Sequence, residues 1–127
     1  MRTELSGLSI LIVDDEPETR AMLSAYLGAC GATTYCAASV ADAIDVAGRV
    51  ELDLIVTDIA MPGGDGYALL ENVLEHHPST PVISLSGYAS AEEARRSAAA
   101  GFRLHISKPV RPRALVVSIS ELVAVAQ

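Results

Sequence analysis

The chain alternates between short, densely apolar runs and longer stretches with helical spacing. Apolar runs fall at residues 9–13, 33–36, 52–57, 82–85 and 104–106. The first, third and fourth are almost continuously apolar, as strands are when a parallel sheet buries both of their faces. Between them, Val40, Ala43, Ile44 and Ala47 recur at i, i+3, i+4 and i+7. Near the end, Leu115, Ile119, Leu122, Val123 and Ala126 do the same. Stripes of this kind pack a helix onto a sheet. Punctuation agrees with the spacing. Ser39 precedes the second helix as an N-cap, SAEE at 90–93 fits a capping box, and Asp65 caps the third helix. Gly31 and Gly101 follow helical stretches, where a left-handed C′ glycine ends a helix. His76 and His77 close the third helix, where a positive charge suits the macrodipole. The order is β-α five times over. It predicts an α/β fold, a doubly wound five-stranded parallel sheet with helices on both faces.

All strand C-termini of such a sheet share one edge, and ligands bind there at the topological switch point. Four of the five runs deliver a polar group to it: Asp14-Asp15-Glu16, Asp58, Ser86-Gly87 and Lys108-Pro109. Alone, each is an ordinary turn or capping residue. Together they make a site. Two carboxylates about 4 Å apart repel by about 4 kcal/mol at an effective dielectric near 20, so several must share a proton or a cation. The donors are all oxygen, with no His or Cys, which points to a hard cation and suits Mg²⁺ better than Ca²⁺. A lysine and a hydroxyl beside such a cation cradle a phosphoryl group. Neither GxxxxGK[ST] nor GxGxxG occurs, so a nucleotide is not the expected ligand. The remaining nucleophile is a carboxylate, and an aspartate can form an acyl phosphate.

Length and composition narrow the class. With 127 residues, half of them hydrophobic, the chain is sized for one domain spanning 1–127. The net charge of −7 and the scattered nine Lys and Arg argue against direct nucleic-acid binding. No apolar run reaches membrane-spanning length, and MRTELSGL lacks a signal-peptide apolar core, so a cytoplasmic location is expected. Cys30 and Cys36 form no metal-ligand spacing and read as small packing residues.

The segments ILIVDDEP, LIVTDIAMPGGDGYALL, PVISLSG and HISKP, in this order and spacing, resemble the response-regulator receiver domains of two-component signalling. The resemblance covers essentially the whole chain. It implies the flavodoxin-like (βα)5 fold with strand order 2-1-3-4-5. By resemblance, Asp58 is the phosphate acceptor, and Asp15 ligates Mg²⁺ directly while Asp14 acts through a metal-bound water. Asp58 and the backbone carbonyl of Ala60 complete the ligand set. Ser86 is the switch hydroxyl, and Lys108 pairs with a phosphoryl oxygen ahead of a cis bond to Pro109. His105 stands where many members carry a switch Tyr or Phe, and is read either as that switch or as an edge-strand surface histidine. Ala60 and Tyr88 lie at positions that gate water access to the acyl phosphate.

The implied function is a phosphorylation-controlled switch rather than an enzyme. It takes its phosphoryl group from a histidine kinase or histidine phosphotransfer protein and signals through the fourth helix, fifth strand and fifth helix. LSGLSILIVDDEPETR and AGFRLHISKPVRP resemble especially the receivers of hybrid histidine kinases, so a relay module is one alternative. A Mg²⁺-dependent aspartyl-phosphate phosphohydrolase and a phosphorylation-independent scaffold are others. A monomer or weak homodimer is expected, with Val116, Val117 and Val125 as a candidate contact surface outside the main stripe of the fifth helix.

Overall fold

The computed structural model describes residues 3–61, 65–87 and 90–126, with side chains described through residue 124. Pro62, Gly63, Gly64 and Tyr88, and the side chains of Val125 and Ala126, lie outside the described residues. Five strands alternate with five helices: β1 (Ser9–Val13), α1 (Pro17–Ala29), β2 (Thr33–Ala37), α2 (Val40–Arg49), β3 (Leu54–Asp58), α3 (Gly66–His76), β4 (Val82–Ser86), α4 (Ala91–Ala100), β5 (Leu104–Ser107) and α5 (Pro112–Ala126). The strands pair in parallel in the order β2-β1-β3-β4-β5. This is the (βα)5 arrangement that the pattern predicts.

The period of two along each strand divides the core into two layers. Ile10, Ile12, Leu54, Val56, Ile83 and Leu85 face α1 and α5, meeting Leu23, Leu27, Leu115, Val116 and Ile119. Leu11, Val13, Ile55 and Val82 face the other way, onto Ala43 of α2, Leu69, Leu70 and Val73 of α3, and Phe102. β3 and β4 are buried along their whole length, as continuously apolar runs should be. Val116 is fully buried and belongs to the core, not to a contact surface, whereas Val117 is exposed. Cys30 is a buried packing residue as expected, but Cys36 on the edge strand β2 is exposed.

β3 starts at Leu54 rather than 52, because Asp53 turns its carboxylate onto the Ser9 N–H at 2.8 Å and closes the loop before the strand. It ends on Asp58 itself. The caps hold as expected: Ser39, Asp65 and Ser90 accept from Asp42 N, Ala68 N and Glu93 N at 3.2, 3.0 and 3.0 Å. Gly31 and Gly101 adopt φ of +103° and +121° behind α1 and α4. The segment before β1 is also part of the fold. Leu5 is fully buried in the α1/α5 layer, and its N–H donates to Cys30 O at 2.9 Å. Among the described residues, no helix is long and apolar enough to cross a membrane.

One close approach sets the geometry after β3. A Cβ on Gly66 would lie 2.7 Å from the Asp58 carbonyl oxygen and 3.0 Å from Ile59 Cα. The start of α3 can therefore sit against the end of β3 only with glycine there. Gly66→Ala is expected to lower stability by about 1–3 kcal/mol through overpacking. Urea denaturation checks this, and an unchanged midpoint would show that the backbone absorbs the methyl.

Candidate functional site

β1 and β3 are neighbours whose connections leave in opposite directions, α1 toward β2 and α3 toward β4, so their carboxyl ends form the switch-point crevice. Asp14 follows β1 directly and is completely buried. Its N–H donates to Ala37 O at 3.2 Å, extending the parallel ladder by one rung. Its Oδ1 accepts the Glu16 N–H at 2.9 Å, and its carbonyl accepts from Arg20 Nη1 at 2.7 Å. Asp15, next in the chain, is exposed. Asp58 is the last residue of β3 and only 6% exposed, with Oδ1 accepting the Ala60 N–H at 3.3 Å. One carboxylate oxygen from each of Asp14, Asp15 and Asp58 comes within 4.8 Å of the others.

Lys108 reaches this cluster from the far end of β5. Its backbone N–H donates to Ser86 O at 2.7 Å, which pins the loop after β5 to the end of β4. Nζ lies 3.1 Å from Asp58 Oδ2, 3.0 Å from Asp14 Oδ2 and 3.3 Å from Glu16 Oε1. The Lys108-Pro109 bond is cis, as expected. Ser86 ends β4, is buried, and stands opposite Ser107 of β5. A family profile described as the response regulator receiver domain matches residues 10–120.

The chain belongs to the response regulator receiver domain family. It is similar to the response regulator protein PilR of Pseudomonas aeruginosa, 36% identical over 121 residues that make up 93% of this chain and 27% of PilR. It is also similar to the sensor histidine kinase RcsC of Escherichia coli K12, 35% identical over 103 residues, 81% of this chain and 11% of RcsC. Both relatives are thus far longer than the chain. Among solved structures, a CheY-like response regulator receiver domain protein from Methanospirillum hungatei JF-1 superposes with a TM-score of 0.87 at 31% identity, covering 94% of this chain and 95% of that one.

Receiver domains are regulatory switches rather than enzymes that turn over a substrate, and the acid cluster of this receiver domain is positioned to hold Mg²⁺ at a phosphorylation site. The residues fit the ion. The donors are all carboxylate oxygens. Asp14 Oδ2 is buried, and its close partner among the described residues is the Lys108 ammonium, 3.0 Å away. That ammonium is shared with Asp58 and Glu16, so the acids outnumber it, and a divalent cation would offset the excess.

Burial pushes the Asp58 carboxyl upward. The Lys108 hydrogen bond and charge pull it down without cancelling that rise, and the Asp14 charge adds to it. For Lys108, burial works downward, but the carboxylates of Asp58 and Asp14 outweigh it and hold the ammonium above its ordinary value. Lys108 is therefore charged throughout the physiological range.

The structure brings Asp14, Asp15, Asp58 and Lys108 together, with Ala60 hydrogen-bonded to Asp58 and Ser86 at the adjoining strand end. His105 is elsewhere. It is half-buried on the α4 face of the sheet with Nδ1 2.9 Å from Ser84 Oγ, so it is not a surface histidine. Two contacts of the site are not evident from the motifs: Glu16 as a third carboxylate on Lys108, and Arg20 on the Asp14 carbonyl. Arg20 stands one turn into α1 from Glu16, and helical spacing alone could have flagged it.

A raised carboxyl pKa means that the fold disfavours the ionised form. The cost is present above the folded-state pKa and vanishes as pH falls below the unfolded value. Asp58→Asn is therefore expected to raise the urea midpoint in metal-free buffer at pH 7. The gain should shrink as the pH falls and the parent Asp58 takes up its proton. A gain that persists unchanged at pH 3 would contradict this origin. Saturating Mg²⁺ should narrow the difference by stabilising the parent.

Proposed function

We propose that the whole chain, residues 1–127, acts as one phosphorylation-controlled receiver whose phosphate acceptor is Asp58. The observation that carries this is the placement of a buried carboxylate, aimed by β3, 3.1 Å from the Lys108 ammonium and beside Asp14 and Asp15. A carboxylate oxygen of Asp58 attacks phosphorus, the P–N bond of a donor phosphohistidine breaks, and the imidazole leaves with the electron pair and is protonated by solvent. Lys108 takes up the charge of a phosphoryl oxygen at the position it already occupies next to Asp58 Oδ2. Asp15, exposed and ungated, serves as a direct ligand. Asp14, with Oδ1 engaged by the Glu16 N–H, acts through water. The Ala60 carbonyl, following Asp58 in the loop, completes the set. When bound, Mg²⁺ offsets the negative charge gathered on the acids and the phosphoryl group.

The donor is a histidine kinase or a histidine phosphotransfer protein. A cleft of about 450 Å³ beside the site, lined by Glu16, Thr19, Met22, Lys108, Pro109 and Val110, supports its approach over α1. Met22 is 39% exposed there, a large apolar side chain available to a docking partner. Output passes through Ser86 and His105 to the α4, β5 and α5 face, where Val117 is exposed, and the domain works as a monomer or weak homodimer. Similarity to RcsC supports a second reading, a receiver within a hybrid kinase that passes phosphate onward.

Incubation with acetyl phosphate and Mg²⁺ is expected to give one base-labile, hydroxylamine-labile phosphoryl group per chain. It should be lost with EDTA and in Asp58→Ala. Uptake that survives Asp58→Ala, or repeated turnover of a phosphomonoester, would overturn the reading. Ala60, two residues past Asp58, offers no polar side chain to orient an attacking water. Ala60→Asn is therefore expected to shorten the phosphoryl lifetime several-fold, and equal decay rates would refute that role.

A further inference from the structure

α4 is poorly equipped to hold itself on the sheet. Its sequence, AEEARRSAAA, offers nothing apolar larger than alanine, and its one buried residue is Ser97. β5, onto which it packs, is an edge strand with no fully buried residue. What lies between them is polar. Ser97 Oγ is 2.9 Å from Ser84 Oγ on β4, and Ser84 Oγ is in turn 2.9 Å from His105 Nδ1 on β5 and 3.3 Å from Leu104 O. Ser84 and Ser97 are both completely buried. The other imidazole nitrogen, Nε2, is buried with no hydrogen-bond partner among the described residues.

We propose that Ser97, Ser84 and His105 form a hydrogen-bonded latch that seats α4 on the sheet and holds the His105 ring inward. The geometry selects one arrangement of protons. With the hydrogen on Nδ1, the ring donates to Ser84 Oγ and leaves only a lone pair at Nε2. The other tautomer would point a buried N–H at no acceptor among the described residues. Ser84 and Ser97 are positioning residues. Neither lies in the acid cluster, yet the ring cannot turn outward without stripping Ser84 of a partner, and α4 cannot lift without stripping the same hydroxyl of another. One buried serine thus couples the rotamer at position 105 to the docking of a helix that has little apolar burial to fall back on.

The latch rests on the proposed switch function for its biological meaning, and β4 joins the two. Ser84 and Ser86 are two residues apart and so point to the same face of that strand, Ser86 at the phosphorylation-site end and Ser84 under α4. A shift of β4 at Ser86 moves the hinge of the latch directly.

The test uses the full chain at pH 7.5. Imidazole ¹⁵N shifts in the parent are expected to report the Nδ1–H tautomer for His105. Ser97→Ala, Ser84→Ala and His105→Phe are each expected to speed amide exchange in α4 about tenfold, the effect of one lost buried hydrogen bond, while α2 amides stay unchanged. The Ser84→Ala/Ser97→Ala pair should be no faster than the worse single variant, because both remove the same link. An Nε2–H tautomer in the parent, or unchanged α4 exchange in all variants, would overturn the latch. Phosphoryl uptake is read separately in Ser97→Ala. Uptake with unaltered α4 exchange sinks the latch and leaves the switch standing. A parent that takes no phosphate, while the variants still exchange faster in α4, keeps the latch and removes the switch.

Discussion

The arrangement of this domain turns on one ammonium group held between buried carboxylates. Lys108 Nζ lies within 3.1 Å of both Asp14, just past β1, and Asp58, the last residue of β3, both almost wholly removed from water. A buried ion pair of this kind is poor evidence of stability, because desolvation opposes the Coulombic gain. Its value lies in placement. The lysine comes from β5, two strands away from β3, so β3, β4 and β5 must stack in register before the charge arrives. The sheet therefore works as a ruler, and its two apolar layers hold the ruler stiff. Burial, before any neighbouring charge, pushes the Asp58 carboxyl upward, and the Asp14, Asp58 and Glu16 carboxylates outnumber the one ammonium they share. That residual imbalance is what draws a divalent cation and lets a phosphoryl group be read as a change of charge.

The same sheet carries two kinds of polar burial with different consequences. At the carboxyl edge the buried groups are charged, open on one side, and arranged for a ligand. Under α4 they are two serine hydroxyls and one imidazole nitrogen, joined to one another through Ser84. The helices differ to match. α1, α2 and α3 are anchored by apolar side chains such as Leu23, Ala43 and Leu69, whereas α4 buries a serine. An element held by few apolar contacts sits at the low-stability end of a fold, where a small bias can move it. Around it, Tyr67 joins α3 to α4 through its hydroxyl on Glu93 at 3.4 Å and through Arg96 stacked 4.7 Å above its ring. These are solvent-edge contacts of modest strength.

Much of this was legible in the chain. The alternation of apolar runs with helical stripes determined the (βα)5 architecture, because the inner strands of a parallel sheet bury both faces and each helix buries one. Asp14, Asp15, Asp58, Ser86 and Lys108 were legible as a group because strand C-termini converge by topology, wherever the chain later bends. The caps at Ser39, Asp65 and Ser90 were legible because they are made within three residues. Errors fell where long-range contact decides. By spacing Val116 stands outside the stripe of α5, yet it is in the core, since α1 and the sheet cover a wider arc of that helix than a single stripe suggests. Leu5 carried no periodic signal and is nonetheless completely buried.

The sequence by itself determined which groups meet at the phosphorylation edge, since local pattern sets the elements and parallel topology sets which ends they share. Only the tertiary structure decided how those groups are partnered: Lys108 on three carboxylates at once, Arg20 on a backbone carbonyl, and Gly66 pressed against Asp58. It alone turned His105 from a residue of ambiguous exposure into the end of a buried chain through Ser84 to Ser97. The physical reason is range. Spacing along the chain encodes which face a residue occupies, whereas a hydrogen bond depends on ångström distances between elements that only packing brings into place.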